Sequence, residues 1–186
     1  MLEVLATIAI VAIVAGAGIP LTLTGIDRSR TAAASRYVAG LMVKARFEAV
    51  RRSTSVAIRF TEDADGHSMR AYADGNGNGV LQRDIADGTD VPVTALLRVG
   101  HHFSGVEFGI ASGIPDIDSS QLLDPSDPIR IGNSTLLSFN PNGASTSGTL
   151  FIRGGRASQF AVRILGTTGR TRVFEFDPAS RTWRKQ

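Results

Sequence analysis

No cysteine occurs anywhere in the 186 residues. Disulfides, thiol nucleophiles and cysteine-based zinc sites are therefore excluded. Histidine is scarce as well, with only His67, His101 and His102. On a strand, the adjacent His101 and His102 would point to opposite faces and make a poor chelating pair. No serine sits in a nucleophile-elbow pattern. No glycine loop ending in lysine is present to cradle a phosphate. No internal repeat is visible. The chain carries no catalytic set and no cofactor motif, and it reads as a non-enzyme that needs no cofactor.

Charge is missing from one long stretch. From Val4 to Ile26 no residue is ionisable, and most are Ala, Ile, Val, Leu or Gly. The remainder is polar, rich in Gly, Ser, Thr and Asp, and reads as a β-rich domain, which sets a first boundary near Asp27. A secretory signal peptide opens with a basic segment, whereas the only early charge here is negative, at Glu3. A buried core helix is rarely so long without charge. A membrane anchor fits, since about 20 apolar residues span a bilayer. Glu3 then stands out, because a carboxylate in an apolar helix costs on the order of a few kcal/mol unless it is paired. The plainer alternative is that Glu3 lies near enough to the end to reach the interface.

After Pro20 the helix should resume. Ala34, Val38, Leu41, Ala45 and Ala49 recur at helical spacing, with Met42 widening the stripe, while Arg36, Lys44, Arg46 and Arg51 fall largely off it. A helix continuous to Arg52 would measure about 75 Å, against about 30 Å of bilayer core. Its second half is therefore predicted to stand clear of the membrane and to lay its apolar stripe on a sheet. Pro20 should kink or loosen it. The expected organisation is a membrane segment at 1–26, an amphipathic helical half at 27–53 and a β-rich domain at 54–186.

Beyond Thr54 the pattern turns to strands. Candidates are Ser55–Phe60, Ser68–Ala73, Val91–Val99, Gly105–Phe108, Thr135–Phe139, Thr149–Arg153, Gln159–Leu165, Arg172–Phe176 and a short Thr182–Arg184, separated by turn-rich stretches. A long helix followed by a run of strands gives an α+β class. Ala111–Asn133 reads as a long exposed loop rich in Pro, Asp and Ser.

The formal net charge is only +3, yet the basic residues collect at the two ends of the polar part and the acids in its middle. A basic side could meet nucleic acid or acidic lipid, or be a solvated face. Asp74, Asn76 and Asn78, followed by Gly79, look like the first half of a calcium loop. The closing acid is out of register, because Ile85 holds the twelfth position and Asp84 sits one short. A tight glycine-rich turn is the favoured reading. Arg170 and Arg172 would share one face of a strand, two residues apart, within reach of adjacent phosphates. Arg163, Arg181, Arg184 and Lys185 could enlarge that patch, and the simpler alternative is a hairpin with solvated arginines.

The run from Glu3 to Pro20 resembles the mature amino terminus of type IV pilins and pseudopilins, in which a glutamate, an uncharged run and a proline stand in the same register. Other motifs resemble the GspH/FimT group of minor pseudopilins. They are the helix end Ala45-Arg46-Phe47-Glu48-Ala49-Val50-Arg51-Arg52, Asp74-Gly75-Asn76-Gly77-Asn78-Gly79, Phe139-Asn140-Pro141-Asn142-Gly143, Gly148-Thr149-Leu150, Gly169-Arg170-Thr171-Arg172 and Trp183. The resemblance implies a pilin-like fold and a structural subunit of a type II secretion pseudopilus. It further implies a single-pass inner-membrane protein whose domain faces the periplasm. Glu3 and Pro20 would be assembly residues. Prepilin peptidase, other pilins or pseudopilins and the inner-membrane assembly platform would be partners. The precursor is trimmed, and the new amino terminus can be methylated. The Gly-Phe junction of the family leader is absent, and Met1 falls where the third mature residue should be, so the start is expected to lie upstream. FimT-type minor pilins, which bind DNA for uptake, carry a motif similar to Gly169–Arg172. That makes nucleic acid an alternative partner, through Arg170 and Arg172.

Overall fold

A computed structural model describes residues 2–132, 134–156 and 158–186, without the side chains of residues 2 and 12–21. The kink expected at Pro20 thus lies outside the described residues. Among the described residues, helix α1, Leu2–Arg52, leads into ten strands and two short helices. It ends in a Schellman-type cap. Ser53 adopts a left-handed φ of 55°, Thr54 N–H donates to the Ala49 carbonyl, and Ser53 N–H donates to that of Val50.

The strands form two antiparallel sheets. In the first, β1 (Val56–Asp63) pairs with β2 (Gly66–Ala73) on one side and with β6 (Leu136–Phe139) on the other, and β3 (Val91–Pro92) edges β2. In the second, β7 (Gly148–Arg153), β8 (Gln159–Leu165), β9 (Arg170–Asp177) and β10 (Thr182–Lys185) form a meander. The free side of β7 is shared by β4 (Glu107–Phe108) and β5 (Ile129–Arg130). Helix α1 packs across both sheets. Ala34, Val38, Met42, Ala45 and Ala49 form one core with Val56, Ile58, Phe60, Phe139, Leu150, Ile152, Val162 and Ile164. The helical stripe predicted from spacing is the buried one, with Leu41 at its margin.

The period-two alternation of the strands leaves each sheet a second, outer face. On the first sheet, Ala57 and Leu136 point away from α1 and meet Val80 and Ile85, the latter on helix α2 (Gln82–Asp87). On the second sheet, Phe151, Ala161 and Phe176 are covered by Ile110, Ile114 and Leu123. Residues 111–132 are therefore not simply exposed. Their few apolar side chains build a second core, because Phe151, Ala161 and Phe176 on the outer face are apolar and gain by leaving water.

Val91–Val99 is not one long strand. It forms β3, bulges away from β2 after Val93, touches β2 again through the Met69–Leu97 bridge and then enters a one-turn helix, α3 (Val99–His102). His101 and His102 lie on that helix rather than on a strand, and the His102 ring sits 5.7 Å from that of Tyr37 on α1.

Candidate functional site

The two halves of α1 present different surfaces. In the first, Glu3 is exposed, and Val4, Leu5, Ile8, Ile10 and Val11 each expose 60% or more of their surface. Among the described residues no helix is long and apolar enough to cross a membrane. The uncharged run read from the sequence includes 12–21, whose side chains lie outside the described set. The second half is anchored to the domain where it first meets it. The Asp27 carboxylate and the Thr31 hydroxyl crowd Gly154 so closely that a Cβ there would lie 2.7–2.8 Å from the Asp27 oxygens. Arg28 pairs with Glu175 of β9.

At the other end of α1, three of the sequence motifs converge. Arg46 Nε donates to the Gly143 carbonyl at 2.9 Å. Gly169 has a φ of 60°, and a Cβ there would lie 2.5 Å from the same carbonyl oxygen and 2.8 Å from Arg46. Only glycine combines that backbone with that contact. The turn before Arg170 is thus clamped between the helix end and the Asn140–Gly143 turn.

Arg170 and Arg172 lie on β9 and are exposed. Neither makes an ion pair or a side-chain hydrogen bond among the described residues. Alternation along β9 puts them on the outer face with Phe174 and Phe176, both part of the outer cluster. Cross-strand register sets Arg172 opposite Arg163 on β8, Arg163 opposite Thr149 on β7, and Thr149 opposite Arg130 on β5. The result is a row with three arginines. The covering loop supplies acids to two of them. Asp118 meets Arg163 fork to fork at 2.7 and 2.5 Å. Asp116 lies 2.8 Å and Asp127 3.5 Å from Arg130. The Arg163 guanidinium holds the Asp118 carboxyl below the usual carboxylate range, and that carboxylate in turn raises Arg163.

Of the other arginines expected to extend the patch, two are committed elsewhere. Arg181 donates to the Gly113 carbonyl. Arg184 pairs with Asp177 on the α1-facing side, opposite Glu175. Lys185 lies opposite Phe174, on the outer face. From the sequence, Asp116, Asp118, Asp124 and Asp127 read only as a loose cluster on a solvated loop, and their pairing with the row was missed. The signal in the sequence was a basic residue, Arg163, inside the apolar run Phe160–Leu165, together with an acidic loop elsewhere in the chain.

Asp74, Asn76 and Asn78 do come together, but around their own backbone. Asp74 accepts from the N–H groups of Asn76, Gly77 and Gly79, at 3.1, 2.7 and 2.8 Å. The amides of Asn78 and Asn76 both donate to Asp84, which holds its carboxyl below the ordinary range. Buried Asp90 accepts from Gly75 N–H and Leu81 N–H. In this arrangement Asp74 and Asp90 accept from backbone N–H groups and Asp84 from the asparagine amides. Among the described residues, no set of three or more acids and histidines is arranged to hold a metal.

A long helix seated on an antiparallel two-sheet domain defines a pilin-like protein. The family of type II transport protein GspH matches residues 34–169, well over half of the chain, and the chain belongs to that family. The match opens within the buried stripe of α1 and closes at Gly169, one residue before Arg170. No curated protein and no solved structure matches the chain.

Proposed function

We propose that this chain is a minor pseudopilin, a structural rather than catalytic subunit of a type II secretion pseudopilus. Membership of the GspH family supports a pilin-like role in secretion. The observation that carries the finer reading is the contrast along α1. One stripe of its second half is consumed by the domain, while Val4–Val11 is apolar and unpartnered. In this reading residues 1–26 anchor the chain in the inner membrane, 27–53 carry the helix out of it, and 54–186 form the periplasmic domain. Prepilin peptidase trims the precursor, and the helix then leaves the membrane to join those of other pseudopilins on the assembly platform. Glu3 pairs with the amino terminus of a neighbour, where low dielectric makes the pair strong and an unmatched acid costly. Pro20 lets the helix adjust its course. Glu3→Leu should abolish crosslinking to other pseudopilins while the domain keeps its folding transition. Normal incorporation of that variant overturns the assignment.

A second reading is favoured by one specific observation, the exposed and unpaired Arg170 and Arg172 on a shared face. In it the chain is a FimT-type minor pilin whose outer sheet face binds DNA. Full-length protein in non-ionic detergent should retard a DNA oligonucleotide, and Arg170→Ala/Arg172→Ala should lose that binding. Binding unchanged by the substitutions, or absent from both proteins, ends this reading.

A further inference from the structure

We propose that Arg163 is a third cation of the nucleic-acid-binding face, and that Asp118 occupies it as a carboxylate stand-in for a phosphate. The inference rests on the second reading above and adds a residue and a built-in competitor to it. Arg163 and Arg172 are direct cross-strand partners. Side chains so placed have Cβ atoms about 5 Å apart, and like charges there repel. Arg170 stands two residues further along the same face of β9, about 7 Å away. Three arginines thus stand on one corner of the sheet's outer face, an arrangement that gains from any anion laid across it.

Asp118 supplies such an anion to Arg163 alone. The two-pronged contact is the geometry by which a guanidinium grips carboxylate and phosphate alike. The partners differ in how firmly they are held. Arg163 rises from the middle of β8 between buried neighbours Val162 and Ile164, with 29% of its side chain exposed. Asp118 reaches in from solvent with 64% exposed, on a loop whose apolar anchors are Ile114 and Leu123. The acid can turn away while the arginine and the loop both stay in place. Exposed ion pairs of this kind contribute little net stability, so exchange for a phosphate is cheap. Arg130 marks the border of the face, because it is shared by two acids, Asp116 and Asp127.

Anisotropy of a fluorescent single-stranded oligonucleotide, titrated with full-length protein in non-ionic detergent over a range of salt, tests this. Asp118→Ala should bind about five- to tenfold tighter at low salt, with a salt slope steeper by about one phosphate contact. Asp124→Ala removes the same charge from the same loop without freeing an arginine, and should change neither. In an Arg163→Ala background, Asp118→Ala should give no gain. If wild type binds through Arg170 and Arg172 but Asp118→Ala matches it in affinity and slope, the stand-in role is wrong and the DNA reading survives. If the gain persists without Arg163, or Asp124→Ala reproduces it, Arg163 is not the group released. If neither wild type nor Asp118→Ala binds, both the DNA reading and this inference fail.

Discussion

The polar excursion over the outer face of the first sheet, residues 74–90, and the one over the second, 111–132, do the same covering task with different chemistry. In the first, acids serve the backbone. Asp74, Asp84 and Asp90 accept mainly from main-chain N–H groups and asparagine amides. In the second, Asp116, Asp118 and Asp127 pair with arginines of the sheet, and the loop is seated by Ile114, Leu123 and the Trp183 indole, which donates to the Pro115 carbonyl at 2.9 Å. A carboxylate bonded to its own backbone cannot be replaced by a solute anion without unmaking the loop. An exposed carboxylate paired with an arginine can. The two covers therefore differ in what can compete with them, although both are acidic and turn-rich.

The largest expected effect breaks the second cover at its apolar seat. Leu123→Ala removes a buried side chain and should cost about 2–5 kcal/mol, read as a lowered urea midpoint. Fluorescence of Trp183, the only tryptophan, should shift toward that of a solvated indole. A stability unchanged from wild type would mean that the ion pairs, not the apolar contacts, hold this loop. Next comes the first cover. Asp90→Ala leaves the N–H groups of Gly75 and Leu81 without their acceptor and should cost about 2–4 kcal/mol.

Acid and salt sharpen the comparison further. Asp84 and Asp118 both have carboxyl groups held below the ordinary range, Asp84 chiefly by the Asn78 amide and Asp118 chiefly by Arg163. Each therefore stabilises the fold above about pH 4, the unfolded carboxylate value, and that stabilisation fades as pH falls toward the folded values. High salt should weaken the Asp118 contribution more than that of Asp84, since screening acts on exposed charge pairs and Asp84 is held chiefly by the neutral Asn78 and Asn76 amides, with its ion pair to Arg83 the smaller part. Acid titrations of the urea midpoint at low and high salt, comparing Asp84→Asn with Asp118→Asn, check this. Equal salt sensitivity in the two would erase the distinction. The smallest effect is that of Asp118→Asn on stability at neutral pH, at most about 1 kcal/mol.

Much of this was legible beforehand because local chemistry sets it. Apolar spacing from Ala34 to Ala49 marked the buried face of α1. Alternation in Phe160–Ile164 and Val173–Phe176 marked β8 and β9, and the Asn-Gly run of 74–79 marked a turn. The two-residue strands β3 and β4 fall inside the longer strands expected at Val91–Val99 and Gly105–Phe108, whereas β5 and the short helices were not marked. Segments of that length carry no periodicity and exist only because a neighbouring strand offers them an edge. Ala111–Asn133 looked exposed because its apolar residues are few and irregularly spaced, and a three-dimensional face was needed to collect them.

At the candidate face, the sequence by itself determined that Arg170 and Arg172 share one side of a strand, because side-chain period in a strand is a local property. Only the tertiary structure decided that Arg163 stands beside them, that Arg181 and Arg184 do not, and that Asp118 is the acid across from Arg163. Those relations depend on strand register and on where a distant loop comes to rest. Both are fixed by burial of the sheet's outer face rather than by any neighbour in sequence.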